Sequence, residues 1–265
     1  VVDAVNGAGS VALPELLRQL GVRVITLNCR PDGLFPHPPE PTPDNLAQLS
    51  RAVRRNRADL GLATDPDADR LALVDERGRP IVRQVLSVRQ SPVVINLSTS
   101  RVTADVAREL GQKVYYSRVG EANVVALMKK RSSIIGGEGN GGVIYGALHY
   151  GRDSLAAAAL ALSSLAQSGG TLSELAGTLP TYYTIKGKAP LPQSFSSRLK
   201  EFERRMLDQW GGLKVDRRDG VRLDFPEGWV LIRASNTEPI YRIVVETTGA
   251  AMTRKIMKQT RGFFR

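Results

Sequence analysis

The sequence predicts an α/β protein: two successive doubly wound α/β/α domains followed by a small α+β C-terminal domain. Three observations carry that expectation. Apolar β-rich runs alternate with amphipathic helical stretches from Val1 to about Gln167, the alternation restarts between Ile81 and Val88, and after Tyr182 the strands group together with helices outside them. Repeated strand–helix–strand order implies a parallel sheet covered on both faces, whereas grouped strands imply α+β. The expected domains are residues 1–82, 83–185 and 186–265.

The first domain opens on the short run Val1 to Val5, and the turn Asn6-Gly7-Ala8-Gly9-Ser10 feeds an amphipathic helix over Leu13 to Leu20. Gly21 stops that helix and Val22 to Leu27 reads as the next strand. A loop rich in Pro (residues 31–43) ends at Thr42-Pro43-Asp44-Asn45, a helix start with Pro in its first turn, and the helix runs to about Arg57. Ala58 to Ala63 and Leu71 to Val74 are strands flanking an acidic loop.

In the second domain, Val93 to Leu97 is a strand, Thr103 to Leu110 a helix stopped by Gly111, Lys113 to Tyr116 a strand and Glu121 to Lys130 a helix. Ile134-Ile135 leads into a glycine-rich loop, then Val143-Ile144-Tyr145 and a long helix from Asp153 to Gln167. In the third, Tyr182 to Lys186 precedes a helix from Gln193 to about Trp210. Val221 to Phe225 and Trp229 to Arg233 form a hairpin around Pro226-Glu227-Gly228, Ile240 to Glu246 is a strand, and Met252 to Phe264 is a basic terminal helix.

A hydrophobic content of 42% supports real cores over the 265 residues, and two or three small domains suit that length. The single Cys29 cannot form an internal disulfide, which fits a reducing compartment, and a cytoplasmic protein is expected. No apolar run reaches the ~18 residues of a membrane span, so no membrane partner is expected. The chain opens on Val1-Val2-Asp3 without Met, inside an apolar run, and is therefore expected to begin part-way through a longer protein.

Thirty-seven Lys and Arg against 26 Asp and Glu give a net charge of +11, which favours anionic partners. The basic residues are scattered over helix faces, and with 6% aromatics no base-stacking platform is evident. A nucleic-acid-binding protein is the least favoured of the functional readings.

Four loops carry chemistry. In Thr64-Asp65-Pro66-Asp67-Ala68-Asp69-Arg70, three carboxylates at i, i+2 and i+4 repel one another unless a cation sits among them. An all-carboxylate set without His or Cys suits Mg²⁺ or Ca²⁺ over zinc, and the missing EF-hand Gly and distal Glu favour Mg²⁺. Arg70 either holds one of these carboxylates or reaches a substrate phosphate; a solvated acidic turn is the competing reading. The glycine-rich loop around Glu138 and Asn140 lets backbone approach a ligand, and its carboxylate and amide suit vicinal hydroxyls, although a plain glycine turn has the same look. Arg233-Ala234-Ser235-Asn236-Thr237 offers a guanidinium, two hydroxyls, an amide and successive N–H groups as a phosphate cradle, or else a polar hairpin loop. Arg118-Val119-Gly120-Glu121 hands a strand to a helix, where Arg118 and the helix N-terminus could meet an anion.

In this order and spacing the loops resemble the α-D-phosphohexomutase superfamily, which includes phosphoglucomutase, phosphomannomutase and phosphoglucosamine mutase. The resemblance extends to residues 2–9, to Pro39-Glu40-Pro41-Thr42-Pro43, to Asn96-Leu97-Ser98-Thr99-Ser100-Arg101 and to Gly151-Arg152-Asp153. It implies transfer of phosphate between O1 and O6 of a hexose or hexosamine phosphate, through an enzyme phosphoserine and a hexose 1,6-bisphosphate. It makes Asp65, Asp67 and Asp69 the Mg²⁺ ligands, with Arg70 in support. Glu138 and Asn140 become sugar contacts, and Arg233, Ser235, Asn236 and Thr237 the phosphate anchor. Arg118 and Gly120 fall where a substrate-contacting Lys usually lies.

The resemblance also implies domains two to four of a four-domain enzyme. The nucleophilic serine belongs to a Ser-His-Asn-Pro-like loop of the first domain, and no such segment occurs here. The chain alone is thus expected to be inactive, and a non-catalytic sugar-phosphate-binding protein is the alternative. Two departures stand out. Relatives carry a longer stretch where Gly78-Arg79-Pro80-Ile81 runs straight into Val82-Arg83-Gln84, and many bacterial relatives have Ser and His where this chain has Asn140 and Gly142.

Overall fold

The first sheet is built around a strand buried on both faces. In the structure, a computed structural model describing residues 1–81 and 91–264, Val2–Asp3 (β1) lies between Thr26–Leu27 (β2) and Leu60–Thr64 (β3), parallel to both. The helix Gly9–Gln19 (α1) buries Leu13 and Leu17, about one turn apart, against Val2 and Leu62. Ala47–Asn56 (α2), entered through a 3₁₀ turn at Pro43–Asn45, buries Leu49 and Val53 among Val1, Ala63 and Val74 in a separate cluster. The strand expected over Val22 to Leu27 narrows to two residues. Val5 and Asn6 adopt positive φ of 48° and 57°, turning the chain away just after β1 and leaving β2 little to pair with.

The sheet does not stay parallel, as the sequence reading expected it to. Leu71–Asp75 (β4) and Pro80–Ile81 (β5) run antiparallel, giving the order β2-β1-β3-β4-β5. A parallel return needs a crossover of a dozen or more residues, and the acidic loop between Thr64 and Leu71 is far too short for one. That loop is the tip of a hairpin. The expected boundary between the first two domains, around Ile81 to Val88, lies largely outside the described residues.

The second sheet has the order β7-β6-β8-β9. Val93–Asn96 (β6), Val114–Ser117 (β7) and Ile135–Gly137 (β8) are parallel, and Val143–Tyr145 (β9) returns antiparallel. Alternation along β6 sends Val93 and Ile95 towards Ala104 and Ala107 of Arg101–Glu109 (α3), and Val94 towards Val124 and Met128 of Glu121–Arg131 (α4). The Ala-rich helix Ser154–Ser168 (α5), capped by the Asp153 carboxylate, places Ala157 in the second core and Ala158 in the first. Small side chains allow it to serve both sheets. Leu172–Gly177 (α6), which the sequence reading did not separate, starts with a capping box from Thr171 and Glu174.

The C-terminal sheet is wholly antiparallel, with Tyr183–Pro190 (β10) at one edge and Lys214–Asp216 (β11) at the other. Between them lie Val221–Phe225 (β12), Gly228–Ala234 (β13) and Ile240–Thr247 (β14), in the order β10-β14-β13-β12-β11. One face packs Val230, Ile232, Ile243 and Val245 against Phe195, Phe202 and Met206 of Phe195–Gln209 (α7) and Ile256 and Phe264 of Ala250–Phe264 (α8). The other face sets Trp229, Leu231 and Val244 against Leu97 of the second sheet. The period of two along β13 thus serves a core on one side and an interdomain contact on the other.

Candidate functional site

The acidic loop is tied together by its first carboxylate. Asp65, fully buried at the end of β3, accepts the amides of Asp69 and Arg70 on Oδ1 at 3.1 and 3.0 Å, and the Arg70 Nε–H on Oδ2. These contacts turn the chain so that oxygens of Asp65, Asp67 and Asp69 lie within 4.8 Å of one another. Burial alone would raise the Asp65 carboxyl, but the backbone and side-chain hydrogen bonds from Arg70 outweigh it and hold the group below its ordinary value. Asp69 moves the other way, pushed up to about 6 by burial and by the Asp65 charge beside it. Its Oδ1 is buried without a hydrogen-bond partner, 3.5 Å from Arg70 Nε. An orphaned oxygen within an all-carboxylate donor set fits a hard divalent cation such as Mg²⁺. The loop is propped from below: the Ala8 amide donates to the Pro66 carbonyl at 2.7 Å, and a Cβ on Gly7 would stand 2.5 Å from that oxygen.

The glycine-rich loop is pressed onto this hairpin. The Leu71 amide donates to the Gly141 carbonyl at 3.1 Å and Arg70 bridges to Gly142. Glu138 is 5% exposed and already engaged: Oε1 accepts from Asn96 Nδ2 at 2.7 Å and from the Gly120 amide at 3.0 Å, and Oε2 lies 3.2 Å from Arg152 Nη1. Asn140 is exposed, and its Oδ1 accepts the Gly142 amide at 3.1 Å in a local turn. The Arg152 guanidinium also pairs with Asp69 and with Glu121, whose Oε2 is 3.2 Å from Nε.

The junction after β7 joins the second and third sheets. Val119 and Gly120 present consecutive amides, the first donating to Asp219 Oδ2 at 2.9 Å and the second to Glu138. Gly120 has φ 117°, a conformation that a side chain would strain. Asp219 Oδ2 also accepts from Arg233 Nε at 2.9 Å, with both side chains largely buried. Arg233 therefore starts its loop fixed in place through Nε, with no hydrogen bond to its terminal nitrogens among the described residues. Ser235 donates its amide to the Ile240 carbonyl at 2.8 Å, and Asn236 and Thr237 are exposed at the tip. Arg118 is exposed beside the same junction.

Several of the candidates drawn from the sequence are linked to one another. Arg70 contacts the glycine-rich loop directly, Asp69 reaches Glu138 through Arg152, Gly120 contacts Glu138, and Arg233 is linked to Gly120 through Asp219 and Val119. No direct contact joins Arg118 or Asn140 to the Arg233–Thr237 loop among the described residues. The sequence reading missed Arg152 and Asp219 as connectors. Arg152 stood inside a motif already singled out, whereas Asp219 gave no signal because its partners are distant in sequence. A cavity of about 430 Å³ lined by Asn6, Thr26, Asn28, Cys29 and Arg30 lies at the ends of β1 and β2 and includes none of these candidates.

Each of the three units matches a known domain. Residues 1–78 match the phosphoglucomutase/phosphomannomutase alpha/beta/alpha domain II, residues 80–183 domain III, and residues 190–262 the C-terminal domain. The chain belongs to the phosphoglucomutase/phosphomannomutase family. A Thermococcus kodakarensis protein named phosphoglucomutase/phosphomannomutase is 37% identical over 269 residues, covering 97% of this chain and 59% of that protein. A Methanopyrus kandleri protein named "Probable phosphoglucosamine mutase" is 36% identical over 268 residues, again covering 97% and 59%. This chain therefore spans about three fifths of the length of these relatives. A crystal structure of a phosphoglucomutase/phosphomannomutase family protein from Burkholderia thailandensis superposes with a TM-score of 0.84 at 27% identity, covering 99% of this chain and 59% of that one. Among the described residues no helix is long and apolar enough to cross a membrane.

Proposed function

We propose that this chain supplies the metal-, sugar- and phosphate-binding parts of a phosphohexomutase, which moves phosphate between O1 and O6 of a hexose or hexosamine phosphate by way of a hexose 1,6-bisphosphate. The observation that carries the reading is the linkage of the acidic, glycine-rich and Arg233–Thr237 loops through Arg152, Asp219 and two consecutive amides, in a chain of this mutase family.

Asp65, Asp67 and Asp69 would hold Mg²⁺, which when bound neutralises charge on a transferring phosphoryl group. Arg70 keeps Asp65 ionised and oriented, and Arg152 orients Asp69 and partly offsets its neighbours' negative charge. Arg233, with Ser235, Asn236 and Thr237, grips the phosphate that is not being transferred. Asn140 and the outer edge of Glu138 meet sugar hydroxyls, and Arg118 reaches the substrate from beside Gly120. Glu138 has one oxygen committed to Asn96 and Gly120, so it serves first to shape the loop and second to accept from a hydroxyl.

The phosphoserine that such a transfer requires is assigned to residues outside this sequence, because no Ser-His-Asn-Pro-like stretch occurs in it and the relatives are longer. A solved Aspergillus fumigatus N-acetylphosphoglucosamine mutase in complex with GlcNAc-6P and magnesium shares the fold at a TM-score of 0.67, with 16% identity. Cytoplasmic placement belongs to the same reading and agrees with the free Cys29.

The test is calorimetric titration of the 265-residue chain with glucose 6-phosphate in Mg²⁺, beside an assay for turnover of glucose 1-phosphate. Saturable binding without turnover supports the reading, and no binding of either sugar phosphate overturns it. The mass of the natural gene product before and after phosphatase treatment decides between enzyme and binder. A longer, phosphorylated protein favours the mutase, and an unphosphorylated protein of 28.8 kDa favours the non-catalytic alternative.

A further inference from the structure

One cation beside the glycine-rich loop has no role in the reading above. Along β10, Ile185 and Ala189 pack against the hydrophobic core of the C-terminal domain, so Thr184, Lys186 and Lys188 face the other way. Lys186 uses that orientation to reach across the domain junction, and its Nζ donates to the Gly139 carbonyl at 3.3 Å, between Glu138 and Asn140.

The neighbours on the same face are basic. Strand register sets Lys188 opposite Arg242, and Arg242 opposite Arg233, so three cations stand in one row ending at the phosphate loop. Like charges directly opposed on a sheet are destabilising unless something offsets them. Arg242 is offset by Glu238 and Arg233 by Asp219. Neither Lys186 nor Lys188 has a carboxylate at salt-bridge distance among the described residues. The two carboxylates that attract Lys186 are occupied elsewhere, Glu40 by Arg70 and Glu246 by the Arg101 amide, Trp229 and Thr184. Solvent reaches the Lys186 side chain, yet the protein around it lowers its pKa from the ordinary lysine value, outweighing the pull of Glu40 and Glu246. Such an ammonium is incompletely paired and aimed at the loop that would hold the sugar.

We propose that Lys186 is a further substrate-binding residue, whose ammonium donates to a phosphate oxygen of a phosphorylated hexose lying between the Glu138–Asn140 loop and the Arg233–Thr237 loop. The inference rests on the proposed sugar-phosphate site and deepens it. It brings an edge strand of the C-terminal domain into contact with the ligand, so that substrate bridges the second and third domains at a second point besides the Arg233 loop. Among the described residues the Lys186 ammonium has one hydrogen bond, to a backbone carbonyl, which leaves donors for this role.

The test is calorimetric titration of glucose 6-phosphate, with Mg²⁺ present, into the 265-residue chain and its Lys186→Met and Lys186→Arg variants. Because the side chain is exposed, both variants should melt with the parent. Loss of a charged hydrogen bond should weaken binding roughly ten- to hundredfold in Lys186→Met, and Lys186→Arg, which keeps the charge, should recover most of it. If the parent binds and Lys186→Met binds equally well, the assignment of Lys186 is wrong while the site itself stands. If the parent shows no saturable binding, the site reading fails and this inference fails with it.

Discussion

The Arg152 guanidinium pairs with the Asp69 carboxylate, tying the segment that enters α5 to the acidic hairpin of the first sheet. The same group lies 3.2 Å from Glu121 and 3.2 Å from Glu138. One side chain therefore offsets a proposed metal ligand, a helix-terminal glutamate and the carboxylate of the glycine-rich loop. A shared cation thus adds to the backbone contacts between the hairpin and the glycine-rich loop in setting their relative positions.

Replacing Arg152 with Met should cost the fold stability. Asp69 and Glu138 are mostly shielded from water, and breaking a buried pair by removing one partner costs ~3–5 kcal/mol. The Arg152 side chain keeps 20% of its exposure, which discounts the loss. Urea unfolding should show a decrease of about 2–3 kcal/mol. A change smaller than about 0.5 kcal/mol, the range of ordinary surface substitutions, would mean that the network is decorative.

Asp67 should behave in the opposite way. It is the exposed member of the acidic set. Asp67→Asn is expected to abolish Mg²⁺ binding measured by calorimetry, while unfolding free energy stays within about 0.5 kcal/mol of the parent. Undiminished Mg²⁺ affinity would remove the acidic loop as the metal site.

The Asp153 cap gives a pH dependence with a definite sign. Burial works to raise this carboxyl, but the hydrogen bond from His149 and the amides of Ala156 and Leu155 outweigh it, so its folded pKa lies below the unfolded value of 3.8. A depressed pKa means that the folded state binds fewer protons. The stabilisation is fully present above pH 3.8 and is lost as pH falls through the folded value. Asp153→Ala should cost about 1 kcal/mol at pH 7, the worth of an N-cap. The difference from the parent should shrink only in strongly acidic solution; a constant difference at all pH values would rule out a charged cap.

Much of this was legible in the residues because the information is local. The acidic loop, the glycine-rich loop and the Arg233–Thr237 loop each follow a strand and declare themselves by spacing, and Gly21 and Gly111 mark helix ends with φ of 78° and 71°. What the sequence hid depends on partners far along the chain. The antiparallel turn of β4 follows from a short loop, which could have been counted. The pairing of Arg233 with Asp219, or of Glu138 with Asn96 and Gly120, could not. Nor does the alternation along β10 reveal that Lys188 stands opposite Arg242, or that Lys186 reaches the glycine-rich loop at Gly139.

The Arg233–Asp219 pair allows stability and binding to be separated. Arg233→Ala removes donors that the proposed phosphate needs, and it also leaves Asp219, 7% exposed, with the Val119 amide as its remaining donor. The single variant should therefore lose about 1–3 kcal/mol of stability from the stranded carboxylate. It should also lose roughly ten- to hundredfold in affinity for glucose 6-phosphate. Adding Asp219→Asn removes the buried charge and keeps an acceptor for the Val119 amide, so the double variant should regain part of the stability. It should regain none of the affinity, because the guanidinium is still missing. Recovery of both together would show that Arg233 acts only by holding the fold, and the phosphate would then have to be anchored by Ser235, Asn236 and Thr237 alone.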